Sequence, residues 1–220
     1  MYKHLDIVIP EVATQVSIDG QGPRLYKTPK GDIYPSITTI LAPLKEEILR
    51  AWRKRVGDKE ADRASNWGKQ RGSALHLAIE HYLQNKSISG HPLLIRALLE
   101  DIIPYLKKIN NIYCQEQALY SDYFKIGGRT DCIAEYNKIL SVVDFKGSGR
   151  TKKLEWIEDY FLQGAFYAYA FYERTGRKIP QIVILISNEQ GQASEFIETP
   201  QKFWKKLKEV RKEYKERFKI

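Results

Sequence analysis

The sequence predicts an α/β fold, with a central mixed sheet and helices packed on it. Two β-branched, apolar runs, Arg129–Tyr136 and Ile139–Lys146, are separated only by Asn137-Lys138, the signature of a hairpin. A long aromatic stretch of helical period, Trp156–Arg174, follows, and then a β-rich run, Gln181–Ser187. Strands and helices interleaved in one stretch argue for a sheet covered by helices. At 220 residues and 43% hydrophobic, the chain suits one domain with a sizeable core.

The elements follow in order. Residues 1 to 24 carry little pattern beyond a turn at Asp19-Gly20-Gln21-Gly22-Pro23. Arg24–Thr28 and Ile33-Tyr34 read as a small hairpin around Pro29-Lys30-Gly31-Asp32. Ser36 is placed to cap a short helix, Ile37–Leu41, which Pro43 ends. Lys45–Val56 reads as helix with Gly57 at its C-terminus. Asp62–Lys86 is helical, with a break expected near Gly68 or Gly72, and Leu75, Ile79, Tyr82 and Leu83 form its apolar stripe. His76 and Glu80, four apart, share a neighbouring face. Leu93–Asn110 is a further helix, interrupted at Pro104. Tyr113–Tyr120 alternates like a strand, with Cys114, Glu116, Ala118 and Tyr120 on one face. A carboxylate among such apolar neighbours needs a partner or a task. Gly147–Arg150 reads as loop, the aromatic helix ends near Gly176, and Ala193–Ile197 is a short edge strand after a turn at Asn188–Gln192. Gln201–Lys219 closes the chain as an amphipathic helix with Phe203, Leu207, Val210, Tyr214 and Phe218 on one stripe.

The central hairpin carries the chemistry. With Asn137-Lys138 as its loop, Tyr136 pairs with Ile139, and counting back along both strands sets Asp131 opposite Asp144. Opposed residues share a face, with Cβ atoms about 4.5–5.5 Å apart. Lys146, two residues on, faces the same way. Two opposed carboxylates repel unless a cation lies between them. A hard divalent ion with oxygen ligands fills that role, and Lys146 then sits beside it. Alone, Asp-x12-Asp-x-Lys recurs by chance, and a surface acid with a solvated strand end accounts for it equally well.

Composition narrows the classes. No run of eighteen apolar residues occurs, so no membrane span is expected. Met1–Pro10 holds only a four-residue apolar run with Asp6 in front of it, so no signal peptide is expected and the cytoplasm is the default location. Two cysteines, Cys114 and Cys132, are too few for a disulfide scaffold or a Cys-ligated iron–sulfur cluster. The net charge of +9 favours a polyanionic partner, nucleic acid first, and six of those charges fall in residues 200–220. Trp52 lies among Arg50, Arg53, Lys54 and Arg55, Trp67 precedes Lys69 and Arg71, and Trp156 follows Arg150, Lys152 and Lys153. Aromatic rings among cations suit single strands, because bases stack on the rings while cations track phosphates. Core packing is the alternative fate of each tryptophan.

Four segments taken together carry a resemblance. Arg71–His76, Gly128-Arg129-Thr130-Asp131, Val143-Asp144-Phe145-Lys146 and Gln163-Gly164-Ala165-Phe166-Tyr167 occur in that order. They resemble the RecB-type nucleases of the PD-(D/E)XK superfamily, with Val143 standing where the superfamily name writes a proline. With Tyr34–Leu41 and Ala51–Gly57 added, the likeness is closer to the mitochondrial genome maintenance exonucleases and their phage relatives, and it runs from about Tyr34 to Phe171.

The resemblance implies a three-layer α/β/α, restriction-endonuclease-like core with extra N-terminal helices. It implies that residues 30–111 are a helical part covering DNA, residues 112–200 the catalytic sheet and helix, and residues 201–220 a basic C-terminal helix. It implies that Asp131, Asp144, His76 and the backbone carbonyl of Phe145 hold Mg²⁺ or Mn²⁺, a histidine being more at ease with manganese. Lys146 would orient water or offset phosphate charge, with Gln163 and Tyr167 beside it. Glu116 is either a structural carboxylate or a group in the metal site or just behind it. Trp52, Arg53, Arg55, Lys69, Arg71, Arg150 and Lys152 are the expected DNA contacts. The activity implied is metal-dependent DNA exonuclease action on single-stranded DNA with a free end, in replication, recombination or repair, by a monomer in the cytoplasm (the host's, for a phage protein). A structure-specific or duplex-cutting endonuclease and a non-catalytic nucleic-acid-binding module are the alternatives.

Overall fold

The computed structural model describes residues 1–5, 7–17 and 22–218. Strands β1 (Thr14–Gln15), β2 (Leu25–Lys27) and β3 (Ile33–Pro35) form a small antiparallel sheet. Most of the turn expected at Asp19–Pro23 lies outside the described residues. Ser36 caps α1 (Ile37–Leu41), its hydroxyl accepting the N–H of Thr39 at 3.0 Å. A 3-10 turn, Ala42–Lys45, leads into α2 (Glu46–Val56), and Gly57, at φ 85°, makes the bend into α3 (Asp58–Leu83). Helix α4 (Leu93–Leu106) precedes β4 (Ile109–Ser121), β5 (Ile126–Tyr136) and β6 (Ile139–Ser148). Helix α5 (Glu158–Thr175) is followed by β7 (Gln181–Asn188), β8 (Ser194–Glu198) and α6 (Trp204–Phe218).

The main sheet runs β4-β5-β6-β7-β8. Only β6 and β7 pair in parallel, and α5 is the crossover that a parallel pair requires. Side chains alternate along β7, Ile182 and Ile184 to one face, Val183 and Leu185 to the other. Both faces are covered, so the strand reads as a continuous apolar run. Helices α1, α5 and α6 cover the first face, and α3 and α4 cover the second. This is the three-layer α/β/α arrangement, with a mixed sheet, that the sequence predicts. A third, smaller cluster joins Ala13, Tyr26, Tyr34 and Tyr120 and seats the N-terminal sheet on the main one. Among the described residues no helix is long and apolar enough to cross a membrane.

Several boundaries depart from expectation. Helix α3 begins four residues early and runs unbroken through Gly68 and Gly72, 26 residues in all. A helical glycine costs only about 1 kcal/mol relative to alanine, and Leu75, Ala78, Ile79 and Leu83 bury the helix against the sheet and α4. Pro104 does not interrupt α4, which ends two residues later. Gly147 and Ser148 belong to β6, paired with Ser187 and Asn188, where loop was expected. Cys114, Glu116, Ala118 and Tyr120 do not share a face. Cys114 packs with the α5-side core, whereas Ala118 and Tyr120 join the N-terminal cluster. Between them Glu116 has φ +48°, a left-handed excursion that breaks the alternation. Phe218 ends the α6 stripe exposed, its ring tilted against that of Tyr214 with centroids 4.5 Å apart.

Helix α5 approaches the sheet closely because Gly164 has no side chain. A Cβ there would lie 2.5 Å from Cγ2 of Ile182, which is fully buried. Gly164→Ala should therefore destabilise the fold by about 1–3 kcal/mol through overpacking, despite alanine's higher helix propensity. Denaturant unfolding of both forms checks this, and an unchanged midpoint would show that α5 has room to shift.

Candidate active site

The site is assembled by the β5–β6 hairpin. Asn137 and Lys138 have φ 51° and 69°, the two left-handed residues of a tight type I′ turn. The ladder runs from Tyr136↔Ile139 to Cys132↔Val143, so the next step brings Asp131 level with Asp144, as the sequence predicts. There the Asp131 side chain takes over from the ladder, Oδ2 accepting the Phe145 N–H at 2.9 Å. On the other side, Gln115↔Cys132 and Gln117↔Thr130 place Glu116 level with Asp131. Three carboxylates thus form a row across β4, β5 and β6.

Cations and donors converge on that row. Lys146 Nζ stands 2.5 Å from Asp144 Oδ2 and donates to Gln163 Oε1 at 3.4 Å. Gln163 Nε2 donates to the Tyr167 hydroxyl at 3.2 Å, and both side chains come from one face of α5. Tyr167 reaches the hairpin because Gly128 is bare, since a Cβ there would lie 2.8 Å from its ring. His76, one residue past Leu75 on α3, points Nδ1 at Asp131 Oδ1 at 3.5 Å and sets its ring edge-on to Phe145. A cleft of about 410 Å³ opens on Asp131, Lys146, His76, Glu116, Gln163 and Tyr167. The N-terminal sheet, the start of α1 and α3 make its other walls.

Sequence reasoning missed three contributors. The Tyr160 ring lies 5.1 Å from Lys146 Nζ. Its place three residues before Gln163 and seven before Tyr167, on one helical stripe, was the available signal. Arg24 and Arg129 line the cleft as well; Arg129, two residues before Asp131 on β5, was legible from strand alternation, whereas no spacing pointed to Arg24.

The electrostatics are those of a site lacking positive charge. Burial, together with the Asp131 carboxylate, pushes Asp144 up to about 6 in spite of Lys146. Asp144 is 1% exposed, and among the described residues neither carboxylate oxygen receives an aligned hydrogen bond. Burial and Asp131 likewise raise Glu116 to about 7. Burial opposes charge on Asp131, but His76, Lys146 and the Phe145 amide hold its carboxyl below the usual range. Burial also opposes charge on Lys146, and Asp144 and Asp131 outweigh it and raise the ammonium. A buried carboxylate with unfilled lone pairs, in a row of three with an imidazole, fits a divalent cation. The group His76, Glu116 and Asp131 has its ligand atoms within 4.8 Å of one another.

The expected DNA contacts lie outside the cleft lining. Arg53 is held by Asp58 at 3.0 Å and Asp62 at 2.8 Å. Arg71 is buried and bonded to Glu189, which also accepts the Trp67 indole N–H at 3.2 Å. Arg150 and Lys153 both stack on the half-exposed Trp156. Burial and the neighbouring Arg150 lower the Lys152 ammonium. Arg55 and Lys69 are exposed, and Trp52 is half-buried.

Burial disfavours the His76 cation, but Asp131 outweighs it and lifts the imidazole from 6.5 to about 9. A folded-state value above the unfolded one means that the pair stabilises fully below about pH 6.5 and fades as pH rises through about 9. In metal-free protein, His76→Ala should cost on the order of 1–3 kcal/mol more at pH 6 than at pH 10. Denaturant unfolding of both forms at the two pH values checks this, and a difference independent of pH would dissolve the ion pair.

No family model matches the chain. It is similar to mitochondrial genome maintenance exonuclease 1 of Mus musculus, at 32% identity over 133 residues, 54% of this chain and 38% of the relative. The chain thus spans well under half the length of the curated relative it matches. Among solved structures, SSO0001 is similar at TM-score 0.40 and 11% identity, over 76% of this chain and 68% of that one. A Eubacterium rectale protein described as an exonuclease is similar at TM-score 0.44 and 16% identity, over 67% of this chain and 68% of that one. Likenesses this loose carry no argument about function.

Proposed function

We propose that this chain is a divalent-metal-dependent DNA exonuclease of the RecB-type PD-(D/E)XK kind, acting on single strands with a free end. One observation carries the reading. Asp131 and Lys146 line one cleft, Asp144 lies buried beside Lys146 and level with Asp131, and among the described residues Asp144 Oδ1 has no hydrogen-bond partner. The similarity to a named exonuclease supports it. Asp131, Asp144, His76 and the Phe145 carbonyl would hold Mg²⁺ or Mn²⁺. Such an ion supplies charge to the scissile phosphate and acidifies water. Lys146 orients that water or offsets phosphate charge. Gln163, braced by Tyr167, fixes the Lys146 ammonium on one side, and Tyr160 backs it on another.

The preference for a free end rests on α2 and α3. Helix α2 buries no residue, and α3 buries only Ala61 before Arg71. These segments stand away from the core, carry Trp52, Arg55, Trp67 and Lys69, and continue into the α3 residues that line the cleft. A strand passing beneath them needs a terminus. Stacking on a ring contributes about 1–3 kcal/mol per base, so Trp52→Ala should weaken strand processing.

The test is a time course with Mg²⁺ or Mn²⁺ on linear and circular forms of one single strand, with a labelled duplex alongside. Linear single strands should be degraded and circles should survive. Rapid cutting of circles would replace the exonuclease with an endonuclease. Asp131→Asn and Asp144→Asn should each abolish cleavage while retaining the fold, and strong cleavage by either variant would overturn the site. Lys146→Ala should slow turnover by about 10²–10³-fold yet leave metal-free DNA binding nearly unchanged. Equal losses in the two assays would make Lys146 a plain phosphate contact.

A further inference from the structure

We infer that Glu116 is a metal ligand, which with His76 and Asp131 forms a cation position on the β4 side of Asp131, distinct from the one between Asp131 and Asp144. The inference rests on the reading of the cleft as a divalent-metal site and deepens it.

Register is the first argument. Asp131 is the middle member of a row of three, level with Glu116 on β4 and Asp144 on β6. Adjacent strands lie about 4.8 Å apart, so each neighbouring pair of carboxylates is spaced to share an ion. The two oxygens of Asp131 are not equivalent. Oδ2 is engaged by the Phe145 amide at 2.9 Å, on the β6 side. Oδ1 faces the His76 imidazole at 3.5 Å.

The second argument is the state of Glu116. Among the described residues no hydrogen bond or ion pair holds its carboxylate, although the residue is half-buried and lines the cleft. Its backbone sits at φ +48°, where residues other than glycine are uncommon and where functional side chains are often held. That excursion takes Glu116 out of the β4–β5 ladder, whose pairs on either side are regular.

Distances and donor chemistry agree. Ligand atoms of His76, Glu116 and Asp131 lie within 4.8 Å of one another. Ligands on one ion at about 2.0–2.2 Å stand about 3–4 Å apart, so small side-chain rotations close the set. One imidazole with two carboxylates suits Mn²⁺ better than Mg²⁺; with His76 assigned to the β4 side, the position beside Asp144 keeps the oxygens of Asp131, Asp144 and the Phe145 carbonyl and suits either ion. The two positions therefore differ in the ion they select.

The experiment titrates wild type, Glu116→Gln and Glu116→Cys with Mn²⁺ in the absence of nucleic acid. Calorimetry and the electron paramagnetic resonance of free Mn²⁺ give the stoichiometry, and circular dichroism checks the fold. Wild type should take two Mn²⁺ per chain, and Glu116→Gln should lose one or bind it at least tenfold more weakly. Glu116→Cys should gain Cd²⁺ binding with a thiolate-to-metal charge-transfer band that wild type lacks. Two Mn²⁺ bound by folded Glu116→Gln within twofold of wild-type affinity, with no new Cd²⁺ band in folded Glu116→Cys, would overturn the assignment of Glu116 alone. Wild type that binds no Mn²⁺ would overturn the metal reading of the whole cleft.

Discussion

The site depends on one two-residue turn. Asn137 and Lys138 both adopt left-handed backbone, which matches the twist of the strands they join. That geometry sets the pairing of β5 with β6, and the pairing decides which side chains face the cleft. A slip of one residue would send Asp131 to the opposite face of the sheet. The α3–α4 side of β6 is packed with Val143 and Phe145, so a slip carried by β6 instead would drive Asp144 into an apolar layer. Core packing and cleft chemistry thus hold the same register, and neither can change without the other.

The second constraint is charge in a dry place. Lys146 and Asp144 neutralise each other at 2.5 Å, but Asp131 and Glu116 remain within reach of one imidazole. Burying carboxylates is costly unless they are paired. The protein offsets part of that cost locally, through the Phe145 amide on Asp131 and the raised proton affinity of Asp144 and Glu116. The glycines serve the same end. Gly128 admits Tyr167, and Gly164 lets α5 settle on β7, which brings Gln163 to Lys146.

Most of this was legible in the sequence because it is local. The hairpin register follows from two turn residues, the Ser36 cap from one hydroxyl, and the pairing of Gln163 with Tyr167 from helical spacing. What the sequence obscured is set by tertiary packing. Gly68 and Gly72 signal a break, yet the packing of α3 overrides the local preference. Period-two counting put Glu116 on a face with Ala118 and Tyr120, and a single backbone excursion defeats such counting. The partners of Arg53 and Arg71 come from a following helix and a distant turn, so a run of basic residues could not show that these charges already have carboxylates. Arg24 enters the cleft from the residue just before β2, about fifty residues from His76 in sequence.

The continuity of α3 has a mechanical consequence. A straight helix of 26 residues is about 39 Å long. Trp67 and Lys69 ride on its outer half and His76 on the inner, with no hinge between them. The indole of Trp67 and the guanidinium of Arg71 both grip Glu189, in the turn after β7, so the rod is pinned just outside the cleft. The inner half is held as well, by Leu75, Ala78, Ile79 and Leu83 in the core. A load on the outer half is therefore taken up at Glu189 and in that packing, and His76 keeps its aim at Asp131.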